Sequence, residues 1–391
     1  MDRFAADEPV YASLSAQGSR VKAVLHFFTK TKAGNILIKY VLALVLLAYV
    51  VSKNWNGLLE VFRRPVRVQP LVLATAIYIC CLMVTFLRWH YLVRTVGLPF
   101  TRYNAVRLGL AGFYYNTFMP GAIGGDFVKA YAIAKENSRR TLAASTVLID
   151  RVIGLWALVW FISIVGTTYW LLGDPMLKND VLRGIVLSTY AIVGVSMTLW
   201  FALGFVSEEQ AANLATNLAT GSRFRGSLAE LWRACWMYRR QSKAVLNAML
   251  ITLVAHAGWV LVFHFSVQAF EAPNPETEIG TLAEHSIVYP VGMTVSAFIP
   301  LPGGIGVGEA AFGRLYKTLG KPEVNGIVGC MSMRVITICL GLIGYLIYTR
   351  MRANPASIES PTTETTSDPP EKADAALNLP LPAPQSGMRM T

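Results

Sequence analysis

The sequence predicts an all-α polytopic membrane protein, with about six spanning helices and two re-entrant helical segments arranged as an inverted repeat. Composition is the first reason. The 391 residues are 54% hydrophobic and 15% charged, with a mean hydropathy of +0.45, too apolar for a soluble globular chain of this length. Patterning is the second: long apolar runs alternate with clusters of Lys and Arg. The third is a pair of apolar segments that proline and glycine interrupt and an acid closes. These are Asn116-Thr-Phe-Met-Pro-Gly-Ala-Ile-Gly-Gly-Asp126 and Phe298-Ile-Pro-Leu-Pro-Gly-Gly-Ile-Gly-Val-Gly-Glu309. Interrupted segments in the two halves of a polytopic chain point to a transporter's substrate site. Their freed backbone groups need protein or water at membrane depth.

Taken in order, residues 1–35 are polar and basic (Arg3, Arg20, Lys22, Lys30, Lys32), which places the N-terminus in the cytoplasm. Within them 21–28 is weakly amphipathic. No cleavable signal pattern precedes the first span, 36–52, which is expected to act as an anchor. The second span, 71–87, ends at Arg88-Trp89-His90. Lys53, Arg63, Arg64 and Arg67 between these spans run against the positive-inside trend for an outer loop. The first broken segment, 103–134, has basic flanks on both sides, so it is expected to enter and leave on the cytoplasmic face.

Span three, 142–172, carries Asp150-Arg151, and span four is 184–206. The basic connection 207–244 contains Leu228, Leu231, Trp232, Cys235 and Trp236 at helical spacing, the pattern of a helix lying in the membrane interface. Span five, 245–270, leads to a loop with Glu271, Glu276, Glu278 and Glu284 and no cation. The second broken segment, 287–320, then begins and ends outside, opposite to the first. Span six, 325–349, stops at Arg350 and Arg352, with the C-terminus in the cytoplasm. Residues 351–391, rich in Pro, Ser, Thr and Ala, are expected to be disordered. The domains expected are thus an N-terminal segment (1–35), a transmembrane domain (36–350) and a tail (351–391).

The formal charge of +12 lies between the apolar runs, so it reads as topology and attraction to anionic lipid, not as a nucleic-acid surface. The five cysteines form neither a disulfide framework nor a metal-ligand spacing, and no nucleotide fingerprint or nucleophile elbow is present, so no cofactor or metal is expected. His256 and His264 stand two turns apart on span five, too far to share a metal.

The candidate functional groups are the charges at depth and the glycines at the breaks. Gly124 and Gly125, and Gly303, Gly304 and Gly306, lead into helices whose free N–H groups and positive dipole end favour an anion. Asp126 and Glu309 are either partners of that site or themselves the negative charge that caps an ordinary helix. Asp150 and Arg151 lie about 12 Å into span three, and Arg334 is as deep in span six. Charges so placed face a bundle interior. Adjacent residues diverge by about 100°, so Asp150 and Arg151 need separate partners. Arg334 is expected for Asp150, and Asp126, Glu309 or a lipid phosphate for Arg151. The alternative is a structural ion pair that locks the repeats.

In order along the chain, Asn116, Pro120, Gly124-Gly125-Asp126, Asp150-Arg151, Pro300-x-Pro302-Gly303-Gly304-Ile305-Gly306-x2-Glu309 and Arg334 resemble the lysylphosphatidylglycerol synthase transmembrane region, over roughly 36–350. That resemblance implies a flippase-like lipid translocase for aminoacylated phosphatidylglycerol, polyprenyl-phosphate-linked sugars or other lipids, with Asp126, Asp150, Arg151, Glu309 and Arg334 as its functional residues. Where many members carry an arginine before the glutamate this chain has Gly308, and the soluble aminoacyl-transferase domain of bifunctional members is not expected. The expected activity is movement of an anionic phospholipid or a polyprenyl-phosphate-linked lipid between leaflets of the inner membrane. Membrane lipids are its partners, and further copies of the chain or an envelope-lipid synthase its protein partners. A membrane-embedded lipid-phosphate transferase and a non-transporting accessory subunit are the other readings.

Overall fold

The computed structural model describes residues 32–119, 124–137, 139–219, 223–299 and 301–353. The stretch 21–28, Pro120, Pro300 and all but the start of the 351–391 tail lie outside the described residues. The chain runs through α1 (Lys32–Lys53), α2 (Trp55–Arg63), α3 (Val68–Thr95), α4 (Arg102–Phe118), α5 (Gly124–Glu136), α6 (Arg140–Leu171), α7 (Asp180–Gly204), α8 (Glu208–Ala219), α9 (Arg223–Arg240), α10 (Ser242–Val267), the single turn α11 (Pro275–Glu278), α12 (Leu282–Phe298), α13 (Val307–Thr318) and α14 (Glu323–Ala353). Six of these, α1, α3, α6, α7, α10 and α14, are long and apolar enough to cross a bilayer.

Each of the six occupies an expected apolar run. The largest difference is α3, which continues past Arg88 to Thr95. Arg88 does not end the helix at an interface because it is buried against Asp150 of α6. A satisfied charge no longer dictates where a span must stop.

Both broken segments fold as antiparallel pairs of helices. In the first, Arg107 of α4 meets Glu136 of α5 at 2.6 Å, and the Asn116 side chain accepts the Gly125 N–H at 2.7 Å. In the second, His285 of α12 reaches Tyr316 of α13, and a Cβ on Gly292 would lie 2.7 Å from the Phe312 ring. α4 and α12 stop where the sequence says they must. Met119 and Ile299 turn to extended backbone (ψ 149° and 117°), as a residue before proline does. Thr101 and Thr281 cap the starts of α4 and α12, each accepting the N–H three residues on.

The lengths repeat: 28 and 26 residues in α3 and α10, 17 in both α4 and α12, 13 and 12 in α5 and α13, 32 and 31 in α6 and α14. α3 and α10 pack along one another as a central pair, and each broken pair leans on the long helix that follows it. One apolar cluster gathers α3, α6 and α9 around Trp89, Ile153 and Tyr238, and another gathers α3, α10 and α12 to α14 around Phe263, Phe312 and Tyr316.

Hydrogen bonds sort the connections into two ends. At one, residues 65–67 and 269–271 pair as a short antiparallel bridge, Arg64 meets Glu278 at 3.3 Å, and Asn179 binds the Thr318 carbonyl. Of the cations in the α1–α3 connection that ran against the positive-inside trend, Arg64 is thus matched by an acid after α10. At the other end, Tyr238 bonds to the Leu92 carbonyl and Tyr103 to that of Met351. Near it, the basic connection departs from expectation. α9 docks on α6, α7, α8 and α10, with Ala234 and Tyr238 buried, while Trp232 and Trp236 donate to the carbonyls of Ala211 and Val206. The indole N–H groups of this helix are thereby held by protein carbonyls.

Candidate functional site

Each broken pair carries an acid in the first turn of its second helix, and each acid holds an arginine of the following span. Asp126 accepts from Arg151 at 2.6 Å, and Glu309 accepts from Arg334 at 2.7 Å. Both pairs span 25 residues of sequence. The same device thus stands at the same place in each half.

The two pairs differ in how far they are closed. Glu309 is 1% exposed. Its other oxygen accepts the Gly306 N–H at 2.7 Å, so it caps α13 while it binds Arg334. Arg334 also donates to the carbonyls of Gly303 at 2.6 Å and Gly304 at 3.2 Å. The guanidinium fork is thereby filled with protein acceptors. It fastens the turn Pro302–Gly304, whose glycines take positive φ (55° and 66°), to the middle of α14. Gly308 admits no larger residue without displacement: a Cβ would sit 3.1 Å from both Cys330 Sγ and Ser296 Oγ, and 3.2 Å from Arg334.

Arg151 is open by comparison. Its side chain is 30% exposed against 20% for Arg334, and among the described residues Asp126 supplies its one hydrogen bond. Remaining donors on a half-open guanidinium inside a spanning helix are what a phosphate oxygen needs. The amides are less available than the sequence suggests, because the Gly125 and Gly306 N–H groups are taken by Asn116 and Glu309.

The expected pairing of Asp150 with Arg334 is not what the chain makes. Asp150 binds Arg88 at 2.9 Å, and Arg88 also donates to Thr252 of α10 at 2.7 Å and to the Asp150 carbonyl at 3.2 Å. Arg88 thus ties α3 to α6 and α10, and Asp150 is taken up in that tie, while Arg151 beside it pairs with Asp126 at the first break. Sequence reasoning treated Arg88 as an interfacial cation; its place beside Trp89 gave no sign of burial.

Two further arrangements were not expected from the sequence. Lys129 of α5 is 7% exposed, with its ammonium over the Trp89 ring at 4.3 Å. Its spacing from Asp126, three residues on one helix face, was the available signal. His264 and His285 face each other through Nδ1 at 2.8 Å, and His285 continues to Tyr316. His285 lies in α12, just ahead of the expected second broken segment, and spacing alone does not set it opposite His264. No three His, Cys, Asp or Glu side chains gather at metal-holding distance among the described residues.

The two breaks are neighbours. The Thr117 carbonyl lies 3.1 Å from where a Cβ on Gly303 would stand, and Arg334 touches the same glycine. Thr117 follows Asn116, which caps Gly125, so an unbroken run of contacts joins the Asp126–Arg151 pair to the Glu309–Arg334 pair. A family profile described as Lysylphosphatidylglycerol synthase TM region matches residues 36–344, from the start of α1 to well into α14. Neither a curated protein nor a solved structure matches the chain.

Proposed function

We propose that this chain, which belongs to the lysylphosphatidylglycerol synthase TM region family, is a carrier that moves an anionic phospholipid or a polyprenyl-phosphate-linked lipid between leaflets. The carrying observation is the meeting of two broken helical pairs that start from opposite ends of the bundle, beside a half-open arginine. Three crossings, α6, α7 and α10, separate the start of one pair from the start of the other, so with both pairs re-entrant the repeat is inverted. The end rich in Arg139, Arg140, Arg239, Arg240 and Arg350 is then the cytoplasmic one, in the inner membrane, with both termini on that side.

In this reading Arg151 receives the lipid phosphate and Asp126 holds it in place between substrates. Arg334 is reserved for the loop. The hydrocarbon tails stay in the bilayer, and only the polar head needs a path through protein. An arginine at mid-membrane costs about 2.5 to 3.5 kcal/mol on insertion scales, which a phosphate counter-ion offsets. Movement requires no change in lipid chemistry, so no catalytic residue is assigned.

The test is reconstitution into vesicles with fluorescent phosphatidylglycerol and, separately, a prenyl-phosphate analogue, following headgroup accessibility to an impermeant quencher. The chain should accelerate exchange between leaflets, and Arg151→Ala should slow it about tenfold or more, the cost of one charge-assisted contact. Unchanged exchange in Arg151→Ala refutes the assignment, and new lipid products in place of exchange identify a transferase.

A further inference from the structure

The two halves align element by element, and at five aligned positions a charge in the first half stands against an apolar residue in the second. Aligned from their first residues, α3 and α10 set Trp89 against Phe263 and Arg88 against Val262, while α4 and α12 set Arg107 against Ile287 and Gly112 against Gly292. Aligned on Asp126 and Glu309, the second helices set Lys129 against Phe312 and Glu136 against Leu319, and the following spans set Asp150 against Met333. The contacts follow the alignment. Lys129 lies over Trp89 where Phe312 stacks on Phe263 at 4.5 Å. A Cβ on Gly112 would strike the Lys129 stem at 2.5 Å, and one on Gly292 the Phe312 ring at 2.7 Å. Arg107 pairs with Glu136 where Leu319 packs against the cluster of Ile287. Arg88 pairs with Asp150 where Val262 and Met333 share an apolar cluster.

At these positions the second half is apolar and keeps the acid–arginine pair, with the His264–His285–Tyr316 chain as its other buried polar group, whereas the first half carries buried charges. Its charges do not balance. Arg88, Arg107 and Arg151 each hold a carboxylate, whereas Lys129 makes no ion pair and no hydrogen bond among the described residues. Beside it on the same hairpin, Arg107 Nε is buried without an acceptor. A lysine nine-tenths buried with only a ring face for company is expensive, and an apolar residue at that site is feasible because the other half has one.

We infer that Lys129 is a binding residue for a single negative charge, the phosphodiester of a membrane lipid, held in the first half alone between Lys129 and Arg151. The ligand supplies the one charge the interior lacks. Phosphatidylglycerol carries one net negative charge, whereas in phosphatidylcholine the choline already answers the phosphate, so a site built to neutralise one lysine selects the first. The inference rests on the lipid-carrier reading for the identity of the anion, but it concerns binding and is testable without transport.

The experiment titrates the purified full chain in detergent with dioctanoyl phosphatidylglycerol, dioctanoyl phosphatidylcholine and inorganic phosphate, by calorimetry. Phosphatidylglycerol should bind, Lys129→Met should weaken it about thirtyfold as for a buried charge partner, and Lys129→Arg should restore most of the loss. The melting temperature of Lys129→Met without lipid should not fall. Equal affinity in Lys129→Met overturns the inference even where Arg151→Ala abolishes transport, as does equal binding of phosphatidylcholine or of inorganic phosphate, or no binding by the wild type. Lysine-dependent binding without exchange between leaflets would leave the site standing and remove the carrier.

Discussion

At the scale of single residues, ion pairs of similar length do different work according to what surrounds them. Glu309 is enclosed, and with Arg334 it shares the task of capping α13 and holding the Gly303 and Gly304 carbonyls, so the pair has little left to offer a ligand. Removing one partner of such a pair leaves the other charge buried, so Arg334→Ala should lower stability by about 3 to 5 kcal/mol. The double change Glu309→Leu with Arg334→Met should recover only part of that, since the two glycine carbonyls remain without their donor. Detergent-unfolding curves of the three variants decide it, and a loss below about 1 kcal/mol for Arg334→Ala would place the pair among solvent-screened ones. Gly306 is the other residue with no freedom. Its φ is 82°, and a Cβ would meet Leu46 of α1 at 2.9 Å, so Gly306→Ala should cost about 1 to 3 kcal/mol by the same measurement.

At the scale of elements, the six spans and both breaks were legible because each rests on a strong local signal: length of apolar run, proline after an extended residue, threonine at a helix start. Arg151 with Asp126 was among the pairings expected, since both are few in number and deep. Arg88 with Asp150 was not, because two cations compete for one acid and only the packing of α3 against α6 decides between them. The docking of α9 was likewise hidden, for an amphipathic helix reads alike whether its apolar face meets lipid or protein. The first hairpin depends on two glycines at its crossing. A Cβ on Gly125 would run into the Gly112 carbonyl and lie 2.8 Å from the Asn116 side chain. Gly125→Ala should therefore separate α4 from α5 and cost about 1 to 3 kcal/mol, whereas Gly184→Ala, in open space within α7, should be neutral or slightly stabilising. Comparable melting temperatures for the two variants would contradict the close crossing.

At the scale of the whole molecule, the fold makes a statement about sidedness that labelling can check. Asn56 and Asn274 are exposed on connections that the Val66–Phe270 bridge holds at one end, and Ser207 is exposed on the connection after α7, one crossing away. In a cysteine-free background, an impermeant maleimide applied to intact cells should label Asn56→Cys and Asn274→Cys but not Ser207→Cys. The reverse pattern would invert the topology, and labelling of all three would break the count of crossings. That same bridge has a mechanical consequence. It stitches the entry of α3 to the exit of α10, and the Arg64–Glu278 pair tightens the seam. Rocking that exposes Arg151 toward the basic face would therefore hinge on this seam, and a swing the opposite way would first have to part it.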